Sequence, residues 1–233
     1  MCYWSDQSMS TVAERIADSL KTAIMKGRFR PGDALPSERE LAEKYEVNRS
    51  SVREAVKRLQ GWGLVQVKHG GATRVRDFLL GAGLEVLPAL VELGRVDPGI
   101  LRELHELRGM LFGWCAERAA VLADEDAVAR LSAIVDEMES PKAKPQALQV
   151  LDYDFFEALV QVTGNRLLVV FSNLVRDVYL RSPDRFLGLY KKGVFDPSLH
   201  RRAVNAIRAK NARAAGDAMR AHAATALNAE EES

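Results

Sequence analysis

Residues 36–76 read PSERELAEKYEVNRSSVREAVKRLQGWGLVQVKHGGATRVR, and their spacing restricts the local fold more than any other part of the chain. Ser37 and Glu40 are spaced as a capping box at the start of a short helix, and Asn48 is a suitable N-cap for a second helix. In the second helix, apolar residues recur at the spacing of one buried helix face. These residues are Val52, Ala55, Val56 and Leu59.

Two strands are predicted directly after the second helix. Residues 64–68 and 73–76 read as strands with Val65, Val67 and Val75 on one face, and His69-Gly70-Gly71 forms the turn between them. Upstream, a capping box at Thr11 predicts a supporting helix that ends at Gly27. Three helices followed by a two-stranded wing predict a winged helix-turn-helix.

The outer face of the second motif helix is basic and rich in hydroxyl groups. Its first turns carry Arg49, Ser50, Ser51 and Arg53, although the helix dipole favours acidic residues there. An external anion, such as a phosphate or a base edge of DNA, explains this arrangement. A solvated basic face or a protein-interaction module is the alternative, but the complete order of elements favours binding to double-stranded DNA.

Charge is distributed unevenly along the 233 residues. Residues 1–76 hold 14 Lys and Arg against 9 Asp and Glu, whereas residues 77–233 hold 19 against 23. A basic N-terminal module joined to an acidic remainder is typical of a DNA-binding domain with a second domain. We predict a winged helix-turn-helix at 1–76, a linker helix at 77–98, and an all-helical effector-binding and dimerisation domain at 99–233.

The second part of the chain shows helical periodicity and no strand alternation. A long helix is predicted from Asp97-Pro98 to about Leu122, Asp124 caps the next helix, and Gly164 ends a later one. Five residues of the long helix are predicted to face inward: Leu101, Leu104, Leu107, Leu111 and Trp114. The predicted fold class is mainly α, with a helical bundle large enough to enclose a cavity.

Several classes of protein are not expected. Cys2 and Cys115 are too far apart in the sequence to suggest a disulfide framework. The most apolar stretch, residues 78–94, contains two acids and Pro88, so no membrane span is predicted. We find no signal peptide and expect a cytoplasmic protein. The chain has no nucleotide-binding glycine loop, zinc-protease motif or nucleophile elbow, so no enzymatic activity is predicted.

Residues 10–76 resemble the winged helix-turn-helix of the GntR family of bacterial regulators, through PGDALPSERELAEKYEVNRSSVREAVKRL and HGGATRV. The helical remainder is similar to the effector domain of the FadR branch of that family, through VRDFLLGAGLEVLPALVELG and LDYDFFEALVQVTGN. The resemblance implies a ligand-responsive transcription regulator that binds a palindromic operator as a homodimer and needs no cofactor.

The resemblance also implies a set of DNA-contacting positions, which are Arg39, Arg49, Ser50, Ser51, Arg53, His69 and Gly70. Arg39 is expected to contact phosphate, and Arg49 and Arg53 to contact guanine in the major groove. The serines are expected to donate to phosphate or base acceptors, and the last two residues to enter the minor groove.

Salt bridges are an alternative role for two basic residues of the second motif helix. Arg53 and Arg58 have Glu54 and Glu43 as possible partners within the motif. We expect such a salt bridge for Arg58 and not for Arg53.

Many regulators of the FadR branch bind a divalent metal through an Asp, a His four residues later, and two His on later helices. Asp152, His200 and His222 match this pattern, but Phe156 stands where the first His is required. Phenylalanine cannot ligate, so the site is degenerate and no metal is expected, although three ligands can hold a metal weakly. Both histidines are equally explained as core residues that are hydrogen-bonded to Asp152.

The same departure resembles the fatty-acid-responsive regulators of this branch, which have a phenylalanine at that position and no metal. The resemblance implies control of fatty-acid metabolism by a long-chain acyl-CoA that weakens operator binding. A small organic acid is the alternative effector. The effector-binding candidates are Arg108, Asp152, Phe155, Phe156, Tyr179, His200 and His222. Arg108 is suited to a carboxylate or phosphate, the apolar candidates are equally explained as core, and His105 is expected on a solvated face.

Overall fold

The computed structural model describes residues 11–67, 71–93, 98–181, 186–191 and 194–231. The chain divides into two compact units, Met1–Leu93 and Gly94–Ser233. The elements of the first unit are, in order, α1 (Val12–Met25), α2 (Glu38–Lys44), α3 (Arg49–Gly61), β1 (Val65–Val67), β2 (Thr73–Val75), α4 (Phe78–Gly81), a 3-10 turn (Leu84–Val86) and α5 (Leu87–Leu93).

The predicted starts of the first three helices are confirmed. Thr11 and Ser37 each form a complete capping box, with Glu14 and Glu40 respectively. The Asn48 side chain accepts a hydrogen bond from the Ser51 backbone N–H at 2.8 Å. These bonds satisfy backbone donors that have no partner inside a helix, so the helix boundaries are set locally.

Helix α3 packs against α1 and α2 through the apolar face that the sequence predicted. Val52, Ala55, Val56 and Leu59 are buried. Because this face is turned toward the core, the basic face of α3 lies on the surface. The fold therefore presents the first turn of α3 to solvent and to any macromolecule that approaches.

The wing is a two-stranded antiparallel sheet in which Val65 pairs with Val75 and Val67 pairs with Thr73. This pairing keeps Val65, Val67 and Val75 on one face, as predicted. Val65 and Val75 are buried, whereas Val67 is exposed. Two residues along a strand span about 7 Å, so Val67 lies farther out along the wing than Val65. The predicted turn residues His69 and Gly70 lie outside the described residues.

The base of the wing packs closely against α4. Gly63 has φ +70°, and a Cβ atom at this position would lie 1.8 Å from the carbonyl oxygen of Gly81. Only glycine satisfies both conditions at low energy. Residues 78–93 form two short helices and a 3-10 turn rather than the predicted linker helix, because the backbone is extended at Ala82 and α5 packs on α1.

The second unit is built from helices, and the mainly α fold class is confirmed. Its elements are α6 (Pro98–Leu122), α7 (Glu125–Met138), α8 (Pro145–Thr163), α9 (Arg166–Arg181), a 3-10 turn (Leu187–Tyr190), α10 (Ser198–Arg208) and α11 (Ala212–Glu231). Helix α6 packs against α8 and α11, and α10 packs against α7 and α11. Within the described residues, no helix is both long and apolar enough to cross a membrane.

The predicted inward face of α6 was partly wrong. Leu107 and Trp114 are exposed, whereas Phe112 is buried and His105 is only 2% exposed. The expectation that His105 is solvated was therefore also wrong. Apolar residues lie on several faces of α6, so their periodicity does not select one. The face is decided by packing against α8 and α11, and the buried residues of α6 include the small residues Ala116, Ala119 and Ala120.

Candidate functional site

The carboxylate of Asp152 lies at the centre of a buried polar cluster in the second unit. Its Oδ1 atom lies 2.9 Å from Nε2 of His200 and 3.0 Å from Nε2 of His222. Its Oδ2 atom accepts a hydrogen bond from the hydroxyl of Tyr190 at 2.6 Å and one from Nη2 of Arg108. Four groups from four other elements therefore converge on one carboxylate.

Each member of this cluster is positioned by a different element of the second unit. Asp152 lies on α8 and Arg108 on α6, while His200 and His222 lie on α10 and α11 and Tyr190 on the second 3-10 turn. These elements pack around one apolar core, which brings together residues separated by up to 114 positions in the sequence. The cluster is therefore a product of tertiary packing.

Aromatic rings enclose the cluster on the side of α6 and α8. Phe112, one turn after Arg108, stacks on Phe156 with ring centroids 4.7 Å apart and planes 14° apart. The guanidinium carbon of Arg108 lies 5.1 Å from the centroid of the Phe112 ring. The position at which the metal-binding pattern requires a histidine is therefore filled by an apolar stack.

Two further aromatic rings contact the histidines. Phe155 meets the ring of His200 edge-on, with centroids 4.9 Å apart. Phe195 lies 5.4 Å from the ring of His200 and 5.7 Å from that of His222. This apolar surround removes water from the cluster and strengthens the electrostatic interactions within it.

Burial raises the pKa of the Asp152 carboxyl, but the charge of Arg108 and the hydrogen bonds of His200 and His222 lower it by more, so the pKa falls well below its usual value. Burial lowers the pKa of His222 to about 4, against an opposing effect of Asp152. Asp152 is therefore ionised and His222 neutral near pH 7. The Nε2 atom of neutral His222 either accepts from Arg108 Nη2, at 2.9 Å, or donates to Asp152.

A small cavity adjoins the cluster between α6, α11 and the segment that carries Tyr190. Its volume is about 10 Å³, which is close to the space of a single water molecule. The lining residues are Arg108, Leu189, Tyr190, Val194, Phe195, His222 and Thr225. In this conformation the cavity has no room for a fatty acyl chain.

Most of the predicted effector residues lie together. Arg108, Asp152, Phe155, Phe156, His200 and His222 form one contiguous group. Tyr179 belongs to α9, but its side chain lies outside the described residues. The convergence is a geometric result, whereas the effector-binding role of these residues stays a prediction.

Sequence reasoning missed three members of the group, Phe112, Tyr190 and Phe195. Phe112 had a usable signal, because it lies four residues after Arg108 and therefore on the same helix face. Tyr190 and Phe195 lie in a 3-10 turn and a loop, where no periodicity indicates which way a side chain points.

The three candidate metal ligands also converge. The ligand atoms of Asp152, His200 and His222 all lie within 4.8 Å of one another. However, Nη2 of Arg108 contacts both Asp152 and His222, and Phe156 supplies no donor atom. As arranged here, the donor set does not fit a divalent metal.

The predicted DNA-recognition residues lie on the surface of the first unit. Arg39 is exposed on α2, and Arg49, Ser50 and Arg53 are exposed on α3. Ser51 is half-buried beside the Asn48 cap. Arg49 and Ser50 occupy the first turn of α3, where free backbone N–H groups and the helix dipole favour an anion.

Both expectations about salt bridges of α3 need correction. Arg58 forms its salt bridge with Glu14 of α1, at 3.1 Å, and not with Glu54 or Glu43. Arg53, which was expected to have no such partner, contacts Glu38 at 3.0 Å. The reason is that α1 and the start of α2 pack beside α3, which supplies acids from outside the helix.

Comparison with known proteins agrees with the geometry of both units. The family described as bacterial regulatory proteins, gntR family, matches residues 12–75, and the FCD domain matches residues 103–225. The chain belongs to the GntR family. It is a ligand-responsive transcriptional regulator with a helix-turn-helix domain and an FCD domain, and its relatives are regulators rather than enzymes.

Two similar regulators illustrate this membership. The HTH-type transcriptional regulator Mce2R of Mycobacterium tuberculosis is 35% identical over 170 residues, which cover 72% of this chain and 70% of that protein. The fatty acid metabolism regulator protein of Edwardsiella ictaluri is 32% identical over 160 residues, covering 68% of this chain and 65% of that protein.

One solved structure supports the fold alone. Lar, which controls expression of the Listeria monocytogenes agr system, matches with a TM-score of 0.54 at 16% identity. The match covers 97% of this chain and 99% of that chain.

The pKa of His222 predicts a pH dependence of stability. In the folded protein the pKa is about 4, against an ordinary value of 6.5. Between these values the unfolded chain binds a proton that the folded protein does not, so the free energy of unfolding falls as the pH is lowered from 6.5 to 4. The full effect is about 3 kcal/mol.

His222→Gln removes this titration, so its free energy of unfolding is expected to fall less than that of the wild type over the same pH range. Urea denaturation followed by circular dichroism at several pH values measures both curves. Parallel curves for the two proteins would show that His222 is not responsible.

Proposed function

We propose that this GntR-type regulator binds a palindromic operator as a homodimer and that an acidic effector bound near the Asp152 cluster weakens operator binding. The observation that supports the DNA-binding part most strongly is the exposed first turn of α3. It combines Arg49 and Ser50 with free backbone N–H groups and no acidic residue. Such a helix start suits insertion into the major groove.

The remaining roles on the first unit follow from chemistry. Arg49 and Arg53 present planar guanidinium groups that match two acceptors of guanine, while Arg39 contacts phosphate. Ser50 and Ser51 donate to phosphate or base acceptors. His69 and Gly70 of the wing are proposed to enter the minor groove. The Glu38 carboxylate holds Arg53 on the exposed face, so this guanidinium is already oriented before DNA binds.

Arg49→Ala is expected to weaken specific operator binding by about 1–3 kcal/mol, the usual loss for one bidentate base contact. Fluorescence anisotropy with an operator fragment at fixed salt measures the loss, because phosphate contacts make affinity depend steeply on salt. Arg130→Ala, which removes another exposed arginine, from α7, is the matched control and should leave affinity unchanged. Equal operator preference in wild type and Arg49→Ala would remove Arg49 from base readout.

Dimerisation is supported by an apolar stripe along α6. Leu107, Met110, Trp114 and Val121 are exposed in the single chain at spacings of one helix face, with Met110 69% and Trp114 42% exposed. Exposed apolar residues grouped in this way are typical of a surface that another protein covers. A second copy of the chain is the proposed occupant, since a palindromic operator requires two recognition helices.

Met110→Glu is expected to convert the dimer to a monomer, because it places a charge in the apolar interface. Sedimentation velocity measures the change. Val150→Glu is the matched control, since Val150 is an exposed apolar residue of α8 and its replacement should leave the dimer intact. A Met110→Glu variant that stays dimeric would exclude this stripe as the interface.

Two classes of effector are supported by different observations. A long-chain acyl-CoA is supported by the similarity to a fatty acid metabolism regulator and by the apolar Phe112–Phe156 stack. A small organic acid is supported by the polar groups that line the small cavity, which include Arg108, Tyr190 and His222. The cavity of about 10 Å³ has to widen for either effector, but an acyl chain also has to separate the enclosing aromatic rings, so we favour the small acid.

The deciding experiment measures operator release by fluorescence anisotropy at fixed salt, with a fragment from upstream of the gene. Oleoyl-CoA, free coenzyme A and a series of short mono- and dicarboxylates are added separately. Release by oleoyl-CoA but not by coenzyme A would establish a long-chain acyl-CoA as the effector. Release by a short carboxylate would establish a small organic acid as the effector. Tight binding that no compound affects would contradict the effector proposal and leave DNA binding intact.

A further inference from the structure

The positive charge that balances buried Asp152 belongs to the chain itself. Nη2 of Arg108 contacts Oδ2 of Asp152 and lies 2.9 Å from Nε2 of His222. The side chain of Arg108 is 10% exposed and that of Asp152 is 1% exposed. One guanidinium nitrogen therefore contacts two of the three side chains that offer ligand atoms to a metal.

A divalent metal cannot share this space with the guanidinium. A transition metal binds histidine nitrogen and carboxylate oxygen at about 2.0–2.2 Å, so an ion held by His222 and Asp152 has to lie beside both side chains. Nη2 of Arg108 already contacts both of them, so such an ion would lie next to the guanidinium. The guanidinium also stays charged at every accessible pH, and repulsion between cations is strong in a buried site.

Among the residues that the structure describes, the position one helical turn after Asp152 offers no compensating ligand. Phe156 lies one helical turn after Asp152 and is buried in the stack with Phe112. A metal at this site would therefore have three protein ligands and would have to displace Arg108 from its contacts with Asp152 and His222.

We propose that Arg108 is a tethered cation that takes the place of a divalent metal and prevents Asp152, His200 and His222 from binding one. The guanidinium neutralises the buried carboxylate, as a bound ion would, but it cannot be removed by a chelator. Removing the charge of Arg108 should therefore uncover a metal site built from the three remaining ligands.

The test compares metal binding by full-length wild type, Arg108→Met and Arg108→Lys. Met retains the length of the side chain without its charge, and Lys retains the charge. Co²⁺ is titrated into each protein and followed by its visible absorption, with Zn²⁺ competition to confirm the site. Arg108→Met is expected to bind one Co²⁺ per chain on the order of 10- to 100-fold more tightly than wild type, while Arg108→Lys stays like wild type.

Thermal stability supplies a second readout. Arg108→Met leaves Asp152 without its cation, so the variant should melt at a lower temperature than wild type. Because a ligand of the folded state stabilises it, Co²⁺ should raise the melting temperature of Arg108→Met and leave that of wild type unchanged. The double variant Arg108→Met/His222→Gln, which lacks one ligand, should lose this response.

Phe156→His distinguishes the effect of the Arg108 charge on metal affinity from the effect of the number of metal ligands. This variant gains a donor but retains Arg108, so its Co²⁺ affinity should stay within a fewfold of wild type, whereas Arg108→Met/Phe156→His should bind most tightly. Tight binding by wild type or by Phe156→His alone would overturn the proposal. If Arg108→Met does not fold without metal, folding on addition of Zn²⁺ supports the proposal. If Arg108→Met folds under neither condition, the Co²⁺ affinity of Phe156→His decides: an affinity within a fewfold of wild type supports the proposal, and tight binding overturns it.

Discussion

The charge on Asp152 is the constraint on which the second unit depends. A buried carboxylate that loses its partner costs about 3–5 kcal/mol, so the groups that contact it cannot be removed independently. Arg108, Tyr190, His200 and His222 reach Asp152 from four other elements. The positions of α6, α8, α10 and α11 are therefore linked through one carboxylate, in addition to the apolar core that surrounds it.

This arrangement gives the proposed acidic effector a route by which to act on the regulator. An effector carboxylate that pairs with Arg108 competes with Asp152 for the same guanidinium. Asp152 contacts groups on several elements. Such a competition therefore changes the balance between two packings of the helical bundle, and its effect is not confined to one side chain. Ligand-dependent regulation requires a difference in affinity between two states, and the cluster provides a physical source for it.

The first unit is the part of the fold that the sequence predicted best. The capping residues Thr11, Ser37 and Asn48 act on their own helices, and the apolar periodicity of α3 has one solution. The predicted salt bridges of α3 were wrong, because Glu38 and Glu14 reach Arg53 and Arg58 from other helices. Periodicity placed Val67 on the same face as Val65, but it does not show how far along the strand the buried part extends.

The sequence by itself determined the starts of the first three helices, the order of the winged helix-turn-helix and the presence of Phe156 where the metal-binding pattern has a histidine. These features depend on residue type and short-range spacing. Only the tertiary structure decided which face of α6 is buried and that Arg108 lies between Asp152 and His222. The tertiary structure also decided that Tyr190 contacts Asp152. Local spacing allows several contacts for each side chain, and long-range packing selects one of them. The pairing of the Arg108 charge with the Asp152 charge therefore follows only from the packed helices.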